Sequence, residues 1–93
     1  MAKYRKLPVI VEAERVDKLL YGFRHDFKSL PEWVIEAYDN HTITSITDVD
    51  FYVKTLEGEV IATHDDYLVK GIDGELYPCK IKIFEKTYER VGE

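Results

Sequence analysis

Alternation of apolar and polar residues near the N-terminus predicts that the chain begins with a β-strand. Over Lys6–Val16, apolar residues recur at every second position, and period two with β-branched residues is typical of a strand. Pro8 cannot donate to a ladder, so the strand either begins there or lies at the edge of a sheet. Over Asp17–Phe27 the apolar positions approximate helical spacing, but Gly22 weakens a helix. We therefore expect a short turn of helix and then a loop.

A second helix is predicted to begin just after Ser29. Ser29 and Glu32 have the spacing of a capping box, and Pro31 between them fits the first turn of a helix. An apolar stripe at helical spacing follows and ends at Asp39-Asn40. The stripe consists of Trp33, Val34, Ala37 and Tyr38.

The rest of the chain is predicted to form short strands separated by turns. β-branched and aromatic residues dominate 42–47, 49–56, 60–63, 67–70 and 75–77. Turn residues separate these runs at Glu57-Gly58, His64-Asp65-Asp66 and Gly71-Ile72-Asp73-Gly74. Pro78 is expected at a strand end, and 81–91 fits either strand, turn and strand or a short helix.

These elements together predict one α+β domain over residues 1–93. We expect a small single domain, mainly an antiparallel β-meander, with one or two short helices inserted after the first strand. There are no repeats and no linker, which agrees with a single domain.

Composition narrows the class of protein. The chain is 45% hydrophobic and 13% aromatic, which excludes the disordered class. One cysteine excludes an internal disulfide and favours a reducing compartment. No run approaches the ~20 apolar residues of a membrane span, and no signal-peptide core is present. We expect a cytoplasmic protein without a membrane segment, and a chain this short leaves a homo-oligomer open beside a monomer.

Charge is distributed unevenly along the chain. Residues 1–30 carry seven Lys/Arg against four Asp/Glu, and 31–93 carry six against fourteen. This balance argues against direct nucleic-acid binding, which needs clustered cations. The acidic residues either form a solvated surface or an acidic face that docks on a basic partner. The candidates for that face are Asp48, Asp50, Glu57, Glu59, Asp65 and Asp66.

Motifs for catalysis or metal binding are not evident. His64-Asp65-Asp66 is the tightest cluster of ligand types, but His41 and Glu59 do not stand at a metal spacing from it. A polar turn between strands accounts for the cluster. Cys79 lacks the Cys/His pattern of a nucleophile. We therefore predict no enzyme, no catalytic residue, no metal and no cofactor.

Aromatic and basic residues leave a nucleotide ligand open as an alternative. In that case aromatic side chains stack on a base within an oligomer interface, and arginines meet the phosphate. The candidates for such a site are Trp33, Tyr52, Tyr67, Tyr77, Arg5 and Arg24. Trp33 is equally well explained as a core anchor on its helix.

Six segments carry a resemblance to a known family: Lys6–Ala13, Leu30–Trp33, Thr55–Gly58, Asp66–Gly71, Gly74–Lys80 and Ile83–Glu89. With them the chain resembles a widespread family of small, mostly uncharacterised bacteriophage and prophage proteins. His64-Asp65 replaces the family's usual Pro-Gly and predicts a changed loop. Ile81-Lys82 replaces a frequent Pro-Asp and predicts a strand extended past Lys80.

The resemblance implies a phage origin but no catalytic residue. Small accessory phage proteins often bind a host protein or sequester a defence signal. We expect a phage-encoded accessory protein that binds a host factor stoichiometrically, as an anti-defence or regulatory inhibitor. Three alternatives stay open: an oligomeric sponge for a nucleotide second messenger, a small metal-assisted hydrolase that uses His64 with Asp65 or Asp66, and an acidic nucleic-acid mimic.

Overall fold

The computed structural model describes residues 1–92 and confirms the α+β domain. Two three-stranded antiparallel sheets have the strand orders β1-β5-β6 and β2-β3-β4. The strands are β1 (Glu12–Arg15), β2 (Ile43–Thr44), β3 (Asp50–Thr55), β4 (Gly58–Thr63), β5 (Asp66–Lys70) and β6 (Leu76–Lys80). The helices are α1 (Val16–His25), α2 (Glu32–Asp39) and α3 (Ile81–Thr87), with a 3₁₀ turn at Phe27–Ser29.

Alternation along β3 explains how the second sheet joins the core. Phe51 and Val53 are fully buried, whereas the intervening Tyr52 lies on the outer face opposite Ile61. Helices α1 and α2 add apolar side chains to the same core. The core consists of Val16, Leu19, Leu20, Leu30, Val34, Ala37, Ile43, Phe51, Val53, Ala62, Leu68 and Leu76.

Helix α1 is longer than the sequence indicates. It continues through Gly22 to His25, so the expected loop after a short helical turn is wrong. A Cβ on Gly22 would lie 2.6 Å from Leu30 Cδ2. The close approach of buried Leu30 therefore uses the missing side chain, and packing outweighs the ~1 kcal/mol that glycine costs in a helix.

The predicted capping box at the start of α2 is wrong. Ser29 Oγ donates to the Asp26 carbonyl at 2.7 Å and so completes the 3₁₀ turn instead. Pro31 occupies the position before α2, and no side chain caps the helix. The end of α2 at Asp39 agrees with the sequence.

Pro78 lies in the middle of β6, opposite Leu68, and not at a strand end as expected. β6 is an edge strand, where a proline is tolerated if its nitrogen faces away from the neighbouring strand. The N–H and C=O of Leu68 then face away from β6 and toward β1. Glu14 is the β1 residue opposite Leu68, so Glu14 belongs to a hydrogen-bonded pair of that ladder.

Helix α3 follows β6 without a break. Of the two alternatives for the C-terminal segment, the short helix is confirmed. The strand extension past Lys80 is wrong, because Ile81 is already the first residue of α3. This helix lies against the first sheet and shapes the site described next.

Candidate functional site

The N-terminal segment forms an extended arm, defined as residues 1–11, and none of the strands within residues 1–92 pairs with it. The predicted strand begins only at Glu12, where β1 pairs with β5. Among the described residues, none of the backbone hydrogen bonds involves residues 1–11. Leu7 and Ile10 are each 77% exposed. The arm therefore presents apolar side chains and free backbone groups at once.

The first sheet has two apolar faces, and α3 covers one of them. Leu68 faces the main core, whereas fully buried Val69 points to the opposite face and is not part of that core. Tyr67 lies on the same face as Val69 and stacks on Phe84 of α3, with ring centroids 3.9 Å apart. Phe84 in turn packs on Tyr88 at 4.8 Å. These rings attach α3 to the sheet.

A groove of about 810 Å³ lies along the arm and β1, and residues of α1, α2, β5 and α3 also line it. Its walls include Val9, Ile10, Trp33, Tyr67 and Phe84. Lys6 Nζ lies 5.4 Å from the centre of the Tyr88 ring, which places a cation beside the aromatic wall. Charged residues of both signs rim the groove: Glu12, Glu14, Arg15, Lys18, Glu85, Glu89 and Arg90. An apolar floor with a mixed polar rim is typical of a protein-binding surface.

The Tyr77 hydroxyl closes one end of the aromatic cluster, 3.3 Å from the Tyr88 hydroxyl. Burial, then the hydrogen bond with Tyr88, raises the pKa of Tyr77 above its usual value of 10.0. The folded state therefore favours neutral Tyr77, and the stability that this provides is complete below the unfolded pKa and is lost as the pH rises above it.

We expect the free energy of unfolding to fall between pH 10 and pH 12 more steeply in the wild type than in Tyr77→Phe, because the variant has no hydroxyl to ionise. Denaturant unfolding at a series of pH values measures both slopes. Tyr52→Phe, which removes a hydroxyl from the outer face of the second sheet, is the control for the loss of a tyrosine hydroxyl at another position. Equal slopes for the wild type and Tyr77→Phe would contradict the expectation.

The six residues predicted to bind a nucleotide do not come together. Trp33 and Tyr67 line the groove, but Phe84 already covers one face of Tyr67. The other four lie apart or are engaged. Tyr52 is on the outer face of the second sheet, Tyr77 bonds Tyr88, Arg5 is in the arm, and Arg24 pairs with Asp48.

The predicted acidic face is divided between the two ends of the second sheet. Glu57 and Glu59 lie at the β3–β4 turn. Asp48 and Asp50 lie at the start of β3, and the six-residue strand separates the two ends by ~20 Å. Asp65 lies near the end of β4 and is exposed. Asp66 is only 3% exposed, so it is not part of any surface.

The His64-Asp65-Asp66 segment is a corner between the two sheets, as its turn pattern predicts. His64 Nε2 lies 3.6 Å from Asp65 Oδ1 at the surface. The Asp66 carboxylate turns inward, accepts the Thr63 N–H at 2.9 Å and meets Lys80 Nζ at 3.3 Å. Within residues 1–92, no group of three or more His, Cys, Asp or Glu side chains is placed to hold a metal ion.

Cys79 lies on β6 and is half-buried. Burial, with a smaller effect of Asp66, raises the pKa of its thiol. A raised pKa lowers the fraction of thiolate, which is the nucleophilic form.

Sequence reasoning missed the residues that make this groove. The sequence pattern predicts Ile10 only as one apolar position of a strand, and it predicts Phe84 and Tyr88 only as positions of a strand or a helix. The available signal was the length of the apolar run after Lys6. It exceeds the four residues of β1 that pair with β5.

Comparison of the chain with protein-family models, curated proteins and solved structures found no match. Within the described part of the chain, no helix has the length and apolar character to cross a membrane. The groove, the arm and the free edge of β1 are therefore the features of the described residues that bear on function.

Proposed function

We propose that this chain is a phage-encoded accessory protein that binds a host protein stoichiometrically, as an anti-defence or regulatory inhibitor. The phage origin comes from the resemblance described above. The partner contributes an extended segment, which lies along the outer edge of β1 and the arm and packs against the groove. The observation that supports this most is the arm itself, which exposes Leu7 and Ile10 and has no backbone partner within residues 1–92.

An unpaired edge with an apolar extension favours the capture of a strand. Exposed edges pair readily with other chains, and natural proteins usually protect them with charges, bulges or a covering element. The edge of β1 carries the charged residues Glu12, Glu14 and Arg15, but it continues into an apolar run, and Leu7, Val9 and Ile10 of that run are all exposed. Adding a strand satisfies the backbone groups, and pockets for side chains provide specificity. The groove beside the edge supplies such a pocket.

Affinity capture from host lysate tests the proposal with a matched pair of variants. Ile10 and Ile72 are 77% and 69% exposed, but only Ile10 lines the groove. A captured protein should be retained by the wild type and by Ile72→Asp, and lost from Ile10→Asp. With the purified partner, calorimetry should give one partner per chain and an affinity at least about tenfold weaker for Ile10→Asp, which is ~1.4 kcal/mol.

Two results would overturn the proposal. One is the recovery of no host protein at any salt concentration. The other is a captured protein that Ile10→Asp and Ile72→Asp bind equally well, because binding would then not involve the groove. Mass spectrometry of the captured protein identifies the partner in the first step, before its affinity is measured.

A further inference from the structure

The backbone direction along β1 determines which residues of the arm can bond an incoming strand. Glu14 faces β5, as argued above from Pro78 and Leu68. Residues two apart in a strand direct their N–H and C=O groups to the same side. The same alternation, continued from β1 along the extended arm, places the backbone N–H and C=O groups of four residues at the free edge. These residues are Leu7, Val9, Val11 and Ala13. Pro8 has the opposite orientation, so its missing N–H does not interrupt the edge.

The sequence of this edge is complementary to itself. Basic residues precede the apolar run, with Lys3, Arg5 and Lys6 before Leu7, and acidic residues follow it at Glu12 and Glu14. Two antiparallel copies of the segment can therefore place Lys6 of each beside Glu12 of the other. Opposite charges across neighbouring strands stabilise a pair, and like charges destabilise it.

We propose that the edge pairs with the same edge of a second copy, antiparallel, about a two-fold axis at Val9. This register places Lys6 opposite Glu12 of the second copy, and Leu7 opposite Val11. Each of these two residue pairs occurs twice in the dimer because of the two-fold symmetry. In this register, each residue whose N–H and C=O point out of the free edge lies opposite another such residue of the second copy. A shift of the register by one residue would place it opposite a residue whose backbone groups point away. The two first sheets then form one continuous six-stranded sheet.

The shape of the single chain agrees with an arm that extends from the domain. Its radius of gyration is 14.0 Å, whereas a compact domain of this length has a value of about 12 Å. Glu12 is also accessible to a second copy, because its side chain is 62% exposed and lies 3.9 Å from Lys70 in a weak surface pair. Glu12 is thus accessible in one chain, and the side chain of Lys6 contacts the Tyr88 ring.

The inference shares its surface with the proposed function and rests on it to that extent. A second copy and a host segment compete for the same edge, so the dimer forms in the absence of the partner and dissociates when the partner binds. Pairing of two short arms is small for a protein interface. The dimer is therefore reversible and depends on concentration.

Sedimentation of the full chain at increasing concentration, with charge reversals, tests the dimer. We expect a mass that rises from 10.9 kDa toward twice that value. Lys6→Glu should weaken the dimer about tenfold, and Glu12→Lys should do the same. The double variant should return to within about threefold of the wild type. Lys28→Glu, an equal charge change at an exposed position outside the edge, should have no effect.

A monomer at every concentration would overturn the dimer, and so would a dimer unaffected by Lys6→Glu. Rescue of Lys6→Glu by Glu14→Lys instead of Glu12→Lys would overturn the register. These failures differ from failure of the proposed function. A monomer that still captures a host protein through Ile10 leaves that function standing, whereas a dimer that captures nothing supports only the self-pairing.

Discussion

Replacing Asp66 with alanine is expected to lower the free energy of unfolding by about 2–3 kcal/mol. Asp66 is 3% exposed, and its carboxylate accepts the Thr63 N–H at 2.9 Å and meets Lys80 Nζ at 3.3 Å. Alanine leaves the Thr63 N–H without a partner at the corner between the two sheets. Lys80 is 60% exposed and regains water, which keeps the cost below that of a fully buried ion pair.

Chemical denaturation of Asp66→Ala and Asp65→Ala measures this effect against a neighbouring control. Asp65 is an exposed residue of the same corner, so its replacement should change the free energy of unfolding by about 0.5 kcal/mol or less. Asp66→Asn should fall between the two, because the amide oxygen can still accept the Thr63 N–H. Equal stability of Asp66→Ala and Asp65→Ala would contradict this account of the corner.

Replacing Phe84 with alanine is expected to detach α3 and to cost about 2 kcal/mol, less than the ~3–5 kcal/mol of a fully buried phenylalanine. α3 has seven residues, none of them buried, and no side chain caps its start. A helix this short is not stable alone. Phe84 holds it to the sheet through Tyr67, at 3.9 Å between ring centroids. Loss of this contact also opens the groove wall.

Ile83→Ala is the control for the detachment of α3, because Ile83 lies on the same helix and is 57% exposed. It should change stability by about 0.5 kcal/mol or less. Amide hydrogen exchange across 81–88 should accelerate in Phe84→Ala and stay slow in Ile83→Ala. Unchanged exchange in Phe84→Ala would show that other contacts hold the helix.

Local patterns predicted the strands and turns of the second sheet well, because alternation reports which side chains enter a core. Phe51 and Val53 are buried as their period-two spacing requires. The prediction for α1 is wrong because it includes the free-energy cost of Gly22 in a helix but not the close approach of Leu30, which depends on the tertiary fold. The prediction of a capping box for α2 is wrong because the Ser29 hydroxyl donates to the Asp26 carbonyl and does not cap the helix. Both errors come from contacts beyond the local sequence.

The first strand explains why the groove could not be predicted. Alternation after Lys6 shows that the segment suits a sheet, but it does not show whether this chain supplies the neighbouring strand. Within residues 1–92, the part of this segment that pairs with another strand is β1, and its neighbour is β5. The groove also combines segments distant in sequence, with Ile10, Trp33 and Phe84 in its walls. Such convergence depends on the topology of the sheets.

We propose that β1 and the arm bind an added strand, and amide hydrogen exchange by NMR tests this pairing residue by residue. Continuing the alternation of β1 along the arm places the amides of Leu7, Val9 and Val11 at the free edge and that of Ile10 on the opposite side. In the proposed dimer or the proposed partner complex, the first three should exchange at least about tenfold more slowly than in the dilute chain, and Ile10 should change little. Unchanged exchange at all four amides in the assembled state would contradict the claim.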